Sequence, residues 1–251
     1  MESDDTTASP APSSADFDAQ VTGIAALGDQ LRRGLYRYVI AQPGPVNRDQ
    51  VADGAGVARH VAKFHLDKLV DDGLLAVEYA RPPGRRGPGA GRPAKLYSRS
   101  SRELAVSLPQ RDYELVGRLL AKAVTAVEHD GLTVGDALGQ VARDAGRALG
   151  QQARQHVGAQ PKPSTLLAAA ITVLGESGYE PRIDGTNVTL VNCPFRGLAQ
   201  EYTDLVCGLN LDLMAGLVEV LADPTLEARL EPTPGLCCVR LTRPNTSGST
   251  A

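Results

Sequence analysis

The sequence predicts a helix-rich α+β protein built from two modules, and three observations carry that expectation. Aromatic residues are scarce, with no Trp and three Phe among 251 residues. The core must therefore rest on Leu, Val and Ala, a composition that favours helices. Apolar residues recur at helical spacing along most of the chain, but short β-branched and alternating segments bounded by turn residues interrupt it. Charge is also segregated. Leu31 to Arg99 holds thirteen Lys and Arg against six Asp and Glu, a local net of +7 inside a chain of net −3. A basic segment joined to an acidic remainder points to a polyanion-binding module with a separate partner domain.

The remaining composition bounds the class. Hydrophobic residues make up 42% and charged residues 22%, ordinary values for a soluble globular protein with a sizeable core. No run approaches the roughly eighteen apolar residues that a membrane span needs. The first residues, "MESDDTTASPAPSSADFD", have neither a basic start nor an apolar stretch, so they do not read as a signal peptide. Residues 1–20 are expected to be a disordered acidic tail, and 244–251 a second short tail. The expected compartment is the cytoplasm.

The first module is expected over residues 21–100. "LGDQLRRGLYRYVIAQ" places Leu27, Leu31, Leu35, Tyr38 and Val39 on one helical face. Pro43 to Pro45 stops that helix. Asn47, with Gln50 three residues on, reads as a capping box that starts a short helix, "RDQVADGA". Gly54 and Gly56 allow a tight turn. The next stretch, "VARHVAKFHLDKLVDDGLL", carries an apolar stripe of Val61, Leu66, Leu69 and Val70, with Gly73 placed as a C-terminal cap. Helix, short helix, turn and helix make a helix-turn-helix. "LLAVEYA" and "AKLYSRS" then read as two strands of a wing. Between them "RPPGRRGPGAGRP" is Pro or Gly at eight of thirteen positions and holds Arg81, Arg85, Arg86 and Arg92, with Lys95 just after. Cations on such a hairpin tip suit phosphates or a narrow minor groove, whereas a plain linker would not need one sign of charge.

The residues "GVARHVAKFHLDKLVDDGLL", followed by the Gly- and Arg-rich turn and "GRPAKLYSRS", resemble the winged helix-turn-helix of ArsR-like bacterial regulators. The resemblance implies that the third helix is a recognition helix, with Arg59, His60, Lys63 and Phe64 facing DNA and Arg85, Arg86 and Arg92 on the wing. Arg can contact guanine in bidentate fashion, and Lys can contact guanine or phosphate. Phe64 is the odd member; it packs either on a thymine methyl or on a neighbouring helix. His65 is expected to half-pack against the core.

Helical signals dominate residues 101–160, which are expected to form a helical dimerisation or linker region. "QRDYELVGRLLAKAVTAVEHDG" carries the stripes Leu115, Leu119, Ala123, Val127 and Val116, Leu120, Val124. "TVGDALGQVARDAGRALGQQARQ" carries Leu138, Val141, Ala145 and Leu149. Regulators of this type bind two half-sites as dimers, and a long apolar helix after the wing suits a dimer seam. The stripes are equally compatible with helices that cover only their own core. Residues 161–243 read as a small α+β domain. A helix is followed by a hairpin, "EPRI" and "NVTLVN" about the turn "DGTN". A helix from Thr203 to Ala222 is apolar on two faces and so sandwiched, and "LEARLEP" and "CCVRLTR" supply two more strands.

All four cysteines, Cys193, Cys207, Cys237 and Cys238, fall in this last domain. In a cytosolic chain such clustering argues for a metal site or redox chemistry more than for structural disulfides. The spacing, thirteen then twenty-nine intervening residues, matches neither a zinc ribbon nor a ferredoxin. Adjacent Cys237 and Cys238 in a strand would point to opposite faces, so only one is expected to enter a given site. A zinc site would need His129, His156 or an earlier histidine as a further ligand.

"GYEPRIDGTNVTLVNCPFRGLAQEYTDLVCGLNLDLMAGLVEVL", ending in "GLCCVRL", resembles the sensory domain of SufR-type regulators, and with the winged helix the resemblance runs from residue 24 to 242. It implies a homodimeric DNA-binding repressor whose cysteines hold an iron–sulfur cluster, taken as 4Fe–4S, with cluster state tuning DNA binding. Cys193, Cys207 and one of Cys237 and Cys238 carry over as ligands. A further cysteine of some relatives is absent, which leaves Glu201, Asp204, Asp212 or an outside thiol for the fourth position. Zinc, a thiol-redox site, or an organic effector in the C-terminal domain are the alternatives. An enzyme is not expected. No nucleophile–base spacing occurs, and "GRRGPGAGRP" lacks the Lys–Thr pair and the strand–helix setting of a phosphate-binding loop.

Overall fold

The computed structural model describes residues 14–80, 93–158, 161–185, 187–222 and 226–243. The chain divides into two units, one from Ser13 to Val106 and one from Ser107 onward. The expected tail at 244–251, most of that at 1–20, and the wing tip with Arg81, Arg85, Arg86 and Arg92 lie outside the described residues.

The first unit runs α1 (Ser14–Ala26), α2 (Gln30–Ile40), β1 (Val46–Asn47), α3 (Arg48–Ala55), α4 (Arg59–Asp71), β2 (Leu75–Ala80) and β3 (Ala94–Arg99). Local chemistry sets the helix ends. The Asp29 carboxylate accepts from the backbone N–H of Arg32, satisfying one of the orphan donors at the start of α2. The expected capping box closes α3 in both directions: Gln50 N–H donates to Asn47 Oδ1 at 3.0 Å, and Asn47 N–H donates to Gln50 Oε1 at 2.9 Å. Gly56 ends that helix at φ +65°, a left-handed position that glycine takes without strain. Gly54 is required for another reason, because a Cβ there would collide with the Tyr38 ring. Leu35, Val51, Ala62, Leu66, Leu69 and Tyr97 form the centre of the core. The three strands are antiparallel in the order β1-β3-β2, with Val77 and Val46 both opposite Tyr97.

Three features differ from the sequence expectation. Residues 14–20 are helical and not part of a tail, because α1 buries Gly23 and Ala26, a contact face too small to register as hydrophobic periodicity. Leu31 is 37% exposed, and Leu35 and Val39 carry the buried face of α2. The two-residue strand β1 exists only through its pairing with β3, which no local pattern encodes.

The second unit comprises α5 (Tyr113–Asp130), α6 (Val134–Gln155), α7 (Pro163–Glu176), β4 (Pro181–Asp184), β5 (Asn187–Leu190), α8 (Arg196–Glu201), α9 (Thr203–Leu221), β6 (Glu227–Leu230) and β7 (Val239–Thr242). Its antiparallel sheet has the order β4-β5-β7-β6. The helix apolar on two faces is α9, whose buried residues include Val206, Leu209, Leu213, Met214 and Leu217. Leu205, the first residue of the expected stripe, is exposed. Helices α5 and α6 do not form a linker of their own. Val116, Leu119 and Ala123 of α5 and Ala137, Leu138 and Ala142 of α6 are buried in the same core as α9 and the sheet.

The contact of α6 with α9 is made backbone to backbone. A Cβ on Gly146 would overlap the Leu213 carbonyl, and one on Gly216 would overlap the Arg143 carbonyl. Reciprocal glycines therefore let the helices approach more closely than any side chain permits. Ion pairs run beside the seam, Arg143 to Asp212 at 2.6 Å and to Glu219 at 3.4 Å, and Arg147 to Glu219 at 2.9 Å. These pairs are partly exposed, so the close packing contributes more than the charges. Gly146→Ala is expected to destabilise the protein by about 1–3 kcal/mol, the usual cost of overpacking. Gly117→Ala on α5, where an added Cβ meets nothing, is expected to stabilise it by about 0.5–1 kcal/mol. Thermal and urea unfolding followed by circular dichroism check both signs.

Candidate nucleic-acid interface and cysteine site

In the first unit α4 divides cleanly. Ala62, Leu66 and Leu69 face the core, while Arg59, His60, Lys63 and Phe64, in the first two turns, are all exposed. Two of these cations have acidic partners within the unit. Arg59 lies 2.5 Å from Asp49 of α3, and Lys63 lies 3.0 Å from Asp67 one turn along. His65 is half-buried, with its Nδ1 accepting from Arg32 Nε at 3.4 Å.

Asp67 is the residue that sequence reasoning missed. Its carboxylate also accepts from Lys95 at 2.5 Å and from the Tyr97 hydroxyl at 3.2 Å, both on β3. One carboxylate thus ties the exposed helix to the wing strand. Partial burial works to raise the Asp67 carboxyl, but hydrogen bonds from Lys95 and Lys63 outweigh it and hold it below its usual range. Lys95 shows the counterpart: burial works to lower it, and the Asp67 contact raises it overall. The Lys63–Asp67 spacing of four was visible in the sequence; the twenty-eight-residue span to Lys95 was not.

In the second unit three elements bring the four cysteines together in two pairs. Cys193 follows β5, Cys207 lies in the second turn of α9, and Cys237 and Cys238 immediately precede β7 and are not part of it. Cys237 N–H donates to Leu190 O at 2.9 Å, which sets that segment against the end of β5. Cys207 and Cys238 form a disulfide with a Cα–Cα separation of 6.5 Å. Cys193 and Cys237 are free, buried and hydrogen-bonded to each other. The two adjacent cysteines therefore go to different partners.

The surroundings of the free pair are polar and ordered. Asn210 of α9, fully buried, donates from Nδ2 to Cys237 Sγ at 3.2 Å and accepts from the buried Tyr179 hydroxyl at 2.7 Å. Phe195 packs edge-on against the Tyr179 ring at 6.1 Å. Arg111 donates to Asn192 Oδ1 at 2.5 Å and to the Cys193 carbonyl at 3.3 Å. The hydrogen bond from Cys237 lowers the Cys193 thiol to about 7 against the opposing effect of burial, with help from the Phe195 backbone N–H and from Arg111 and Arg196. Cys237 is pushed up, by donating to Cys193 and by burial. Thiolate character is therefore concentrated on Cys193.

The other residues considered for this site lie elsewhere. Glu201 and Asp204 are exposed, Asp212 is held by Arg143, and His129 and His156 are exposed. Among the described residues no group of three or more His, Cys, Asp and Glu side chains is arranged to hold a metal ion. In the disulfide form two of the four sulfurs are bonded to each other. Thiols are the donors that soft metals and iron–sulfur clusters take, and the two free ones here are Cys193 and Cys237. A shallow depression of about 370 Å³ lined by Pro232, Thr233, Pro234, Leu236 and Cys238 lies on the disulfide side.

A helix-turn-helix domain family model matches residues 27–78, from just before α2 into β2. That match points to a DNA-binding transcriptional regulator. No curated protein matches the sequence. Among solved structures, human N-acetylserotonin methyltransferase in complex with SAM is similar at 17% identity with a TM-score of 0.22, over 64% of this chain and 53% of that one. The chain thus spans about half the length of that structure, and a likeness this weak carries no argument. Among the described residues no helix is long and apolar enough to cross a membrane.

The Asp67 contacts carry a pH signature. A carboxyl lowered in the folded state contributes stability that is present above its unfolded value, about 3.9, and is lost as pH falls through the lower folded value. Asp67→Asn is expected to lower the urea midpoint at pH 7, with the gap from the unsubstituted protein closing below about pH 4. A gap of constant size across that range would exclude the assignment.

Proposed function

We propose that the chain is a homodimeric DNA-binding transcriptional repressor of the cytoplasm, whose operator binding is set by an iron–sulfur cluster of the 4Fe–4S type held by its cysteines. The observation that supports the reading is that the four cysteines, separated by up to forty-four residues, meet as two pairs, Cys193 with Cys237 and Cys207 with Cys238, joined through the adjacent Cys237 and Cys238. Cys193 and Cys237 are the favoured ligands, because they are reduced, buried and supported by a hydrogen-bond layer of the kind that orients metal ligands. Cys207 and Cys238 join them when their disulfide is reduced. When bound, a cluster supplies an iron- and redox-sensitive link among these elements. The chain's own part is to hold α9 and the segment before β7 in register, through Asn210 and Tyr179, so that gain or loss of the link changes their separation. Such a change alters operator affinity only if the two forms bind DNA differently.

On the DNA side, α4 enters the major groove with Arg59, His60, Lys63 and Phe64, and the wing meets the backbone through Arg85, Arg86 and Arg92. Two copies then read two half-sites. Helix α5 leaves Gly117, Ala121 and Val124 exposed at helical spacing, a face that two protomers can share. The Cys207–Cys238 disulfide favours a second reading, a thiol–disulfide sensor without iron.

Anaerobic purification with iron and acid-labile sulfide analysis, followed by DNA binding with and without the bound iron, tests the proposal. The expected protein is brown with broad visible absorbance, and its DNA affinity changes on iron removal. Cys193→Ser and Cys237→Ser are expected to abolish iron retention, and Asn210→Ala to weaken it against a chelator by about tenfold or more. A colourless protein after reconstitution under reducing conditions would sink the cluster, and zinc without sulfide would replace it with a zinc site.

A further inference from the structure

One exposed side chain of α4 has a place on the surface that ordinary electrostatics does not explain. Phe64 is the sixth residue of α4 and is 65% exposed. Its aromatic neighbour is the adjacent His65, edge-on at 5.2 Å. Of the two environments the sequence allowed, a neighbouring helix is therefore excluded among the described residues. A single exposed apolar residue needs no explanation on most surfaces. This one is distinguished by its address. It lies one turn after His60 and beside Lys63, on the outward face of a helix in the basic segment of the chain.

The ion pairs sharpen the point. Asp49 draws Arg59 toward α3, and Asp67 draws Lys63 toward β3. Among the described residues His60 and Phe64 are the two exposed side chains in the first half of α4 left without an ionic partner. A phenyl ring gains little from phosphates, and on stacked bases it gains most from an apolar group exposed on a base edge. In the major groove that group is the C5-methyl of thymine, which only one of the four bases carries.

We infer that Phe64 is a specificity-determining residue that packs on a thymine methyl, so that each half-site carries a thymine opposite the second turn of α4. The inference rests on the DNA-binding reading and is independent of the cluster. It gives the helix a preference for thymine that Arg59 and Lys63 cannot supply, since these pair with Asp49 and Asp67 in the free protein and serve phosphate or guanine once released.

The full chain is used to select duplexes from a randomised library, and the recovered site is resynthesised with deoxyuridine replacing each thymine in turn, which deletes only the methyl. The expected result is one thymine per half-site whose replacement weakens binding by about fourfold, the value of one buried methyl-sized group. Phe64→Ala is expected to bind the thymine and deoxyuridine duplexes equally, and Phe64→Leu to keep the preference. The inference is overturned if no replacement affects the unsubstituted chain, or if Phe64→Ala retains the same thymine preference. A chain that enriches no sequence at all would instead overturn the DNA-binding reading, and this inference with it.

Discussion

The second unit depends on the backbone contact between α6 and α9. Two glycines, Gly146 and Gly216, each stand where a methyl group would strike a carbonyl of the opposite helix. The resulting closeness fixes α9 in rotation as well as in distance, because the small face of each helix must meet that of the other. Once α9 is fixed, Leu213 and Leu217 point into the core, and Cys207 and Asn210 fall on the side that meets the segment before β7. The cysteine site is therefore a consequence of helix packing two turns and more away from it. Protein interiors transmit such constraints because they are packed at close to crystalline density.

The first unit has a smaller constraint of the same kind. Asp67 accepts from Lys63, Lys95 and Tyr97, so a single carboxylate decides how the exposed helix sits against β3. Its charge is partly spent inside the unit, as is that of Asp49 opposite Arg59. The outward face of α4 is consequently less cationic than its sequence reads, and more dependent on shape. A surface of this kind favours recognition of base edges over indiscriminate attraction to phosphate.

Much of both units was legible before folding. The capping box at Asn47 and Gln50, the αL glycine at Gly56 and the hairpin about residues 184–187 are all local chemistry, and each occurs where its residues stand. The two-faced pattern of α9 likewise announced its burial. What escaped reading has a common cause. Helix α1 packs through Gly23 and Ala26, β1 is two residues long, and α8 has six residues with none buried, so none leaves a hydrophobic period. For the candidate sites, residue types were legible and partners were not. Phe64 could be singled out as odd, but its exposure could not be known. The cysteines could be grouped, but not paired.

By itself the sequence determined the order of the longer elements, the presence of a helix-turn-helix with Arg59, His60, Lys63 and Phe64 near the start of its third helix, and the concentration of all four cysteines in one domain. These follow from periodicity, capping and composition, which act over a few residues. Only the tertiary structure decided that α5 and α6 belong to the core of the second unit, that Asp67 joins α4 to β3, and that Asn210 and Tyr179 attend the free pair Cys193 and Cys237. Each of those joins residues about twenty-seven or more positions apart, except where whole helices are involved, and their closeness is set by how faces pack. No local pattern records which distant face that will be.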